Sequence, residues 1–180
     1  MFDILPYALA LVAGIVVKVV DWLDDNRKSK SPVKYLLAII YGALIGYLIS
    51  VAPFSALFLA AVVAQVFARK IDTAAHQLGV LASAIAIAFF GFPMLDIPLF
   101  LFFLVFAFLD EADYIGRMRP LMEYRPFLKV AALVPAIWGR WDCFAAILLF
   151  DIGYEVYRLL MKDKGAAGPK ASSNRKPKRL

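Results

Sequence analysis

A chain of 180 residues that is 63% hydrophobic, with a mean hydropathy of +0.75, lies far outside the range of a soluble globular domain. Its net charge of +6 comes from 20 Lys and Arg against 14 Asp and Glu, but these gather between apolar runs, and no nucleic-acid partner is expected. The single cysteine, Cys143, excludes a disulfide framework and a cysteine-based metal site.

Long apolar runs broken by charged or Pro/Gly punctuation predict an all-α, polytopic membrane bundle of about seven transmembrane helices. The alternation of a membrane barrel is absent. The first helix is expected over roughly Ile4–Val20. Met1-Phe2-Asp3 lacks the basic start of a signal peptide, so this segment is expected to remain as a helix. Asp21-Trp22-Leu23-Asp24-Asp25 and the basic connection Asn26–Lys34 follow. The second helix, about Tyr35–Val51, carries Gly42 and Gly46 at a spacing that suits close helix packing. Ala52-Pro53-Phe54-Ser55 reads as a tight turn. A third helix runs to Phe67 and ends in Ala68-Arg69-Lys70-Ile71-Asp72, with His76 a turn further on.

The fourth helix, about Leu78–Phe90, reaches the connection Gly91–Pro98. The fifth offers about 13 uninterrupted apolar positions from Ile97, a rise of about 20 Å against a hydrocarbon core of about 30 Å. It then meets Asp110, Glu111 and Asp113. A basic stretch with Arg117, Arg119 and Arg125 leads to the sixth helix, about Phe127–Ile137, interrupted by Pro135. Trp138-Gly139-Arg140-Trp141 turns into a seventh helix ending near Met161. The chain thus divides into a transmembrane bundle, 1–161, and a disordered basic cytoplasmic tail, 162–180, rich in Gly, Pro, Ser and Lys. Such a tail can hold anionic lipid headgroups, at about 1 kcal/mol per cation.

Lys and Arg crowd connections one–two, three–four and five–six and the tail, whereas Arg140 stands alone in the others. The positive-inside rule then puts this protein in the cell membrane as a multi-pass chain, N-terminus outside and C-terminus in the cytoplasm. Hairpins two–three, four–five and six–seven recur at about 40-residue spacing. Phe108-Leu109-Asp110 and Leu149-Phe150-Asp151 match best, by duplication or by chance.

Each odd-numbered helix ends in an acidic or Asp/His pair at helical spacing: Asp21 and Asp25, Asp72 and His76, Asp110 and Asp113, Asp151 and Glu155. An ionisable group within an apolar span is costly and points to function. Carboxylates from several helices suit Mg²⁺ or Mn²⁺, with Asp21, Asp25, Asp110 and Asp113 as candidate ligands. Asp110 and Asp151 are the candidate catalytic residues. Arg117, Arg119 and Arg125 carry planar forks that fit phosphate oxygens, and Asp72, His76 and Glu155 are candidate relay residues. Metal with arginine suits the neutralisation of a diphosphate. The expected function is a metal-dependent enzyme acting on a lipid or prenyl (di)phosphate at the cytoplasmic face.

The paired aspartates at helix ends resemble the aspartate-rich sites of intramembrane prenyltransferases and CDP-alcohol phosphotransferases. The chain lacks the long aspartate signature of the latter and the helix count of the former, so the resemblance assigns no family. Two alternatives stand beside the enzyme. One is a cation- or proton-coupled transporter, which requires a polar route to Gly91–Pro98 or Trp138–Asp142. The other is a structural subunit of a membrane complex, with its acids satisfied by internal cations. In plainer terms, Asp24 and Glu111 pair with nearby cations at a solvated helix end, His76 is solvated, Lys18 pairs with Asp21 or Asp25, and Cys143 packs.

Overall fold

The computed structural model describes residues 3–25, 31–112 and 126–166, and every regular element among them is helical. In chain order these are α1 (Leu5–Asp25), α2 (Val33–Ser50), α3 (Ala52–Phe67), α4 (Ala74–Phe90), α5 (Ile97–Glu111), α6 (Pro126–Ala136) and α7 (Asp142–Ala166).

Several helix ends differ from expectation, each for a local reason. Ala52–Ser55 is the first turn of α3, not a loop; Pro53 sits where its missing N–H would have no partner anyway. Val51 alone turns the chain, with extended backbone at φ −97°. α4 starts earlier, at Ala74, because the Thr73 hydroxyl caps it by accepting from the His76 N–H at 3.3 Å. α1 continues to Asp25, which puts Asp21, Asp24 and Asp25 inside the helix. α6 reaches Ala136 with Pro135 in its last turn, and Gly139, at φ +81°, makes the following turn. α7 runs past Met161 to Ala166, so the first part of the expected tail is helical. Residues 167–180 lie outside the described residues.

The most intimate helix pairs are α2–α4 and α1–α7, neither adjacent in sequence. Glycines explain both. A Cβ on Gly42 would land on the Gly79 carbonyl oxygen, and one on Gly46 would land on that of Ser83. The α1–α7 contact is reciprocal, Gly14 against the Phe150 carbonyl and Gly153 against that of Leu11. The main core unites Ala10, Leu48, Leu57, Phe103, Leu128 and Ile147, and a smaller one surrounds Val20, Ala38, Tyr41 and Ala75. α2 packs on α3, and α6 on α7, whereas α4 and α5 scarcely touch. The expected hairpin repeat therefore does not recur as a packing unit.

α1 and α2, with 21 and 18 residues, are long and apolar enough to cross a membrane. Of their most apolar windows, 28% and 33% of the residues are buried.

Candidate functional site

The glycine contacts that join α2 to α4 and α1 to α7 also place two tyrosines. Tyr41 precedes Gly42 and Tyr154 follows Gly153, so both rings are carried to the end of the bundle where α1 finishes and α4 begins. There α1 supplies Lys18 and Asp21, three residues apart, and the capped first turn of α4 supplies His76.

These groups form one hydrogen-bonded chain across four helices. The Tyr41 hydroxyl lies 3.0 Å from His76 Nδ1, and His76 Nε2 lies 3.3 Å from Asp21 Oδ1. Tyr154 donates to Asp21 Oδ2 at 2.8 Å, and Lys18 Nζ donates to the Tyr154 oxygen at 3.0 Å. Lys18 also stands 3.9 Å from Asp21 and 4.5 Å from the centre of the Tyr154 ring. With a proton on Nε2 facing Asp21, a neutral imidazole accepts the Tyr41 proton at Nδ1. Beside the chain, Asp24 accepts from Lys34 at 2.6 Å and from the Thr73 hydroxyl at 2.8 Å, which ties the ends of α1 and α2 to the cap of α4.

A cavity of about 260 Å³ opens against this chain. Asp21, Tyr41, His76 and Tyr154 line it, with Gln65, Lys70 and Glu111. Its remaining wall is mostly apolar, with Val17, Ile45, Phe58, Val62, Ile147 and Phe150 among the lining residues. Such a site can hydrogen-bond a polar headgroup at one end and shelter an apolar chain at the other. None of residues 91–98 or 138–142 lines it.

The other sequence candidates are dispersed. Asp110, 9% exposed, accepts from the backbone N–H groups of Phe127 at 3.0 Å and Leu128 at 2.7 Å, so its carboxylate holds the start of α6. Asp151 forms an ion pair of 2.7 Å with Lys129, linking α7 to α6, and Glu155 is half-buried one turn on. Neither Asp110 nor Asp151 lines the cavity. Asp25 and Asp72 are exposed, and the carboxylate beside His76 is Asp21, not Asp72. His76 is half-buried in the chain described above, not solvated. Cys143 packs, with its thiol 3.3 Å from the Pro53 carbonyl oxygen. Asp113, Arg117, Arg119 and Arg125 lie outside the described residues. Among the described residues, no three His, Cys, Asp or Glu side chains are grouped closely enough to hold a metal ion.

At the opposite end, Arg140 donates to Asp96 at 3.0 Å across the α4–α5 and α6–α7 connections. The Leu99 N–H, donated to Asp96, and the Arg140 guanidinium hold that carboxyl below its usual range.

Comparison with protein-family models, with curated proteins and with solved structures finds no match. The site is therefore defined by its geometry. Tyr41 and Tyr154 escaped the sequence reading, since a tyrosine in an apolar run looks like ordinary lining. The available signal was their adjacency to packing glycines.

Proposed function

We propose a polytopic integral membrane protein that receives the phosphate end of a lipid or prenyl phosphate at the cytoplasmic ends of its odd-numbered helices. The cavity carries the proposal, because its mostly apolar wall also presents His76, Tyr41, Tyr154, Gln65 and Lys70 as hydrogen-bonding groups, with Asp21 and Glu111 as the carboxylates a metal ion or proton would have to offset. Its placement in a bilayer is supported by the outer surface. Leu81, Ile85 and Phe89 on α4, Leu101 and Val105 on α5, Val130 and Leu133 on α6, and Ile152 and Val156 on α7 are exposed at helical spacing. Monomeric soluble proteins rarely expose large apolar side chains on so many helices at once. The proposed topology has about seven passes, N-terminus outside, with the basic connections in the cytoplasm. α6, with 11 residues and about 16 Å of rise, passes only through a locally thinned bilayer.

In an enzymatic form, Mg²⁺ or Mn²⁺ would have to take most of its ligands from the substrate's phosphate oxygens and water, because no three described acidic or His side chains group closely enough to hold it, and Arg117, Arg119 and Arg125 are the proposed phosphate partners. Thermal unfolding of purified protein tests this directly. Phosphatidate or a prenyl diphosphate at about 100-fold over Kd should raise Tm by about 5–10 °C, further with Mg²⁺, and His76→Asn or Tyr41→Phe should reduce the shift. No shift with any of these ligands overturns the proposal.

A second reading, as a structural subunit, is favoured by one observation. Asp24, Asp96 and Asp151 each meet a cation of this same chain, and Asp110 meets backbone donors. Under that reading the ligands produce no shift, while substitutions of the paired acids lower stability.

A further inference from the structure

Consecutive helices in a bundle ordinarily pack together, but α3 and α4 make almost no direct contact. α3 packs on α2, α5 and α7, and among the described residues α4 packs chiefly on α2, reaching α1 through His76 and Asp21. Both helices reach the cavity, which Ala61 and Val62 line from α3 and Gly79 and Val80 from α4, while α1, α2, α5 and α7 supply most of the rest of its wall. Its volume of about 260 Å³ lies below the range of about 300–1,000 Å³ that encloses a whole drug-sized ligand. A lipid phosphate is larger still, so most of its chain must remain elsewhere. An apolar gap open to a bilayer is filled by hydrocarbon at little cost, because lipid tails are as apolar as leucine.

Resting on the lipid-phosphate proposal, we infer that the gap between α3 and α4 is a lateral portal. Through it the chain of a lipid phosphate passes from the inner leaflet while its phosphate sits against Tyr41, His76 and Lys70, in a lining that also holds Asp21 and Glu111. A free phosphate reaches the same polar groups from water and has no use for the gap.

Two measurements test the portal. In a Cys143→Ala background, Val62→Cys and Ile85→Cys are labelled with bimane in phosphatidylcholine vesicles. A nitroxide on the lipid chain should quench Val62 as it quenches the outward-facing Ile85. Quenching of Val62 by aqueous iodide alone, or by neither agent, overturns the portal. The second measurement compares Val80→Trp, which fills the gap, with Ile85→Trp on the exposed face. Val80→Trp should weaken phosphatidate binding in vesicles by about tenfold and leave the binding of water-soluble glycerol phosphate unchanged, whereas Ile85→Trp should alter neither. Undiminished phosphatidate binding by a folded Val80→Trp protein also overturns it. Lipid quenching at Val62 without phosphatidate binding by the wild-type protein upholds the portal and overturns the lipid-phosphate assignment.

Discussion

Asp110 shows how one carboxylate can look catalytic and be structural. Its two oxygens accept from Phe127 and Leu128, donors that a helix start leaves without intrahelical partners. Asp110→Ala should lower stability by about 1–3 kcal/mol, read as a fall in Tm, with phosphatidate binding unchanged. Asp110→Asn, which keeps one acceptor, should recover part of the loss. Depth in an apolar run correctly marked Asp110 and Asp151 as groups needing partners. The partners themselves were not legible: a backbone 17 residues onward for Asp110, and Lys129 for Asp151. His76 was misjudged for the same reason, since its carboxylate comes from α1, distant in sequence. Asp96 yields a pH prediction. Its folded-state pKa is depressed, so the stabilisation from Arg140 and the Leu99 N–H is complete above its ordinary pKa of about 4 and is lost as the pH falls through the lower folded value. Acid titration of Tm should therefore show a small destabilisation at low pH that Asp96→Asn lacks.

At the scale of helices, spacing revealed which face would pack but not what it would meet. Gly42 and Gly46 announced a close contact, and their partners on α4, Gly79 and Ser83, lie beyond a whole intervening helix. Gly14 and Gly153 carried no comparable signature, because neither has a second glycine four residues away. Gly46→Leu and Gly14→Leu press side chains into backbone that cannot yield, and each should destabilise by about 3 kcal/mol or more in denaturant or thermal unfolding. Gly79→Ala is different in kind. Its Cβ would meet the Tyr41 ring and hydroxyl, so the tyrosine must swing away from His76. A modest change in Tm with a clear loss of ligand-induced stabilisation is the expected result. Helix existence was legible throughout, since apolar runs with Pro/Gly punctuation leave few alternatives. Helix ends were not, because Thr73 and Pro53 act through capping that hydropathy does not register.

For the whole molecule, the proposed orientation predicts opposite accessibility for the two ends of the bundle. A membrane-impermeant thiol reagent should label Trp138→Cys on intact cells and Asp72→Cys only after permeabilisation, both in a Cys143→Ala background. The reverse pattern would invert the topology. The reciprocal glycine contact between α1 and α7 has one more consequence, in time instead of space. Tyr154 is synthesised 133 residues after the Asp21 it must meet, so under the proposed topology α1 would enter the bilayer long before the surface it packs against exists. Until the ribosome has delivered the last of these helices, α1 must wait beside surrogate neighbours, lipid or translocon. The pocket consequently closes only after α7 has been made.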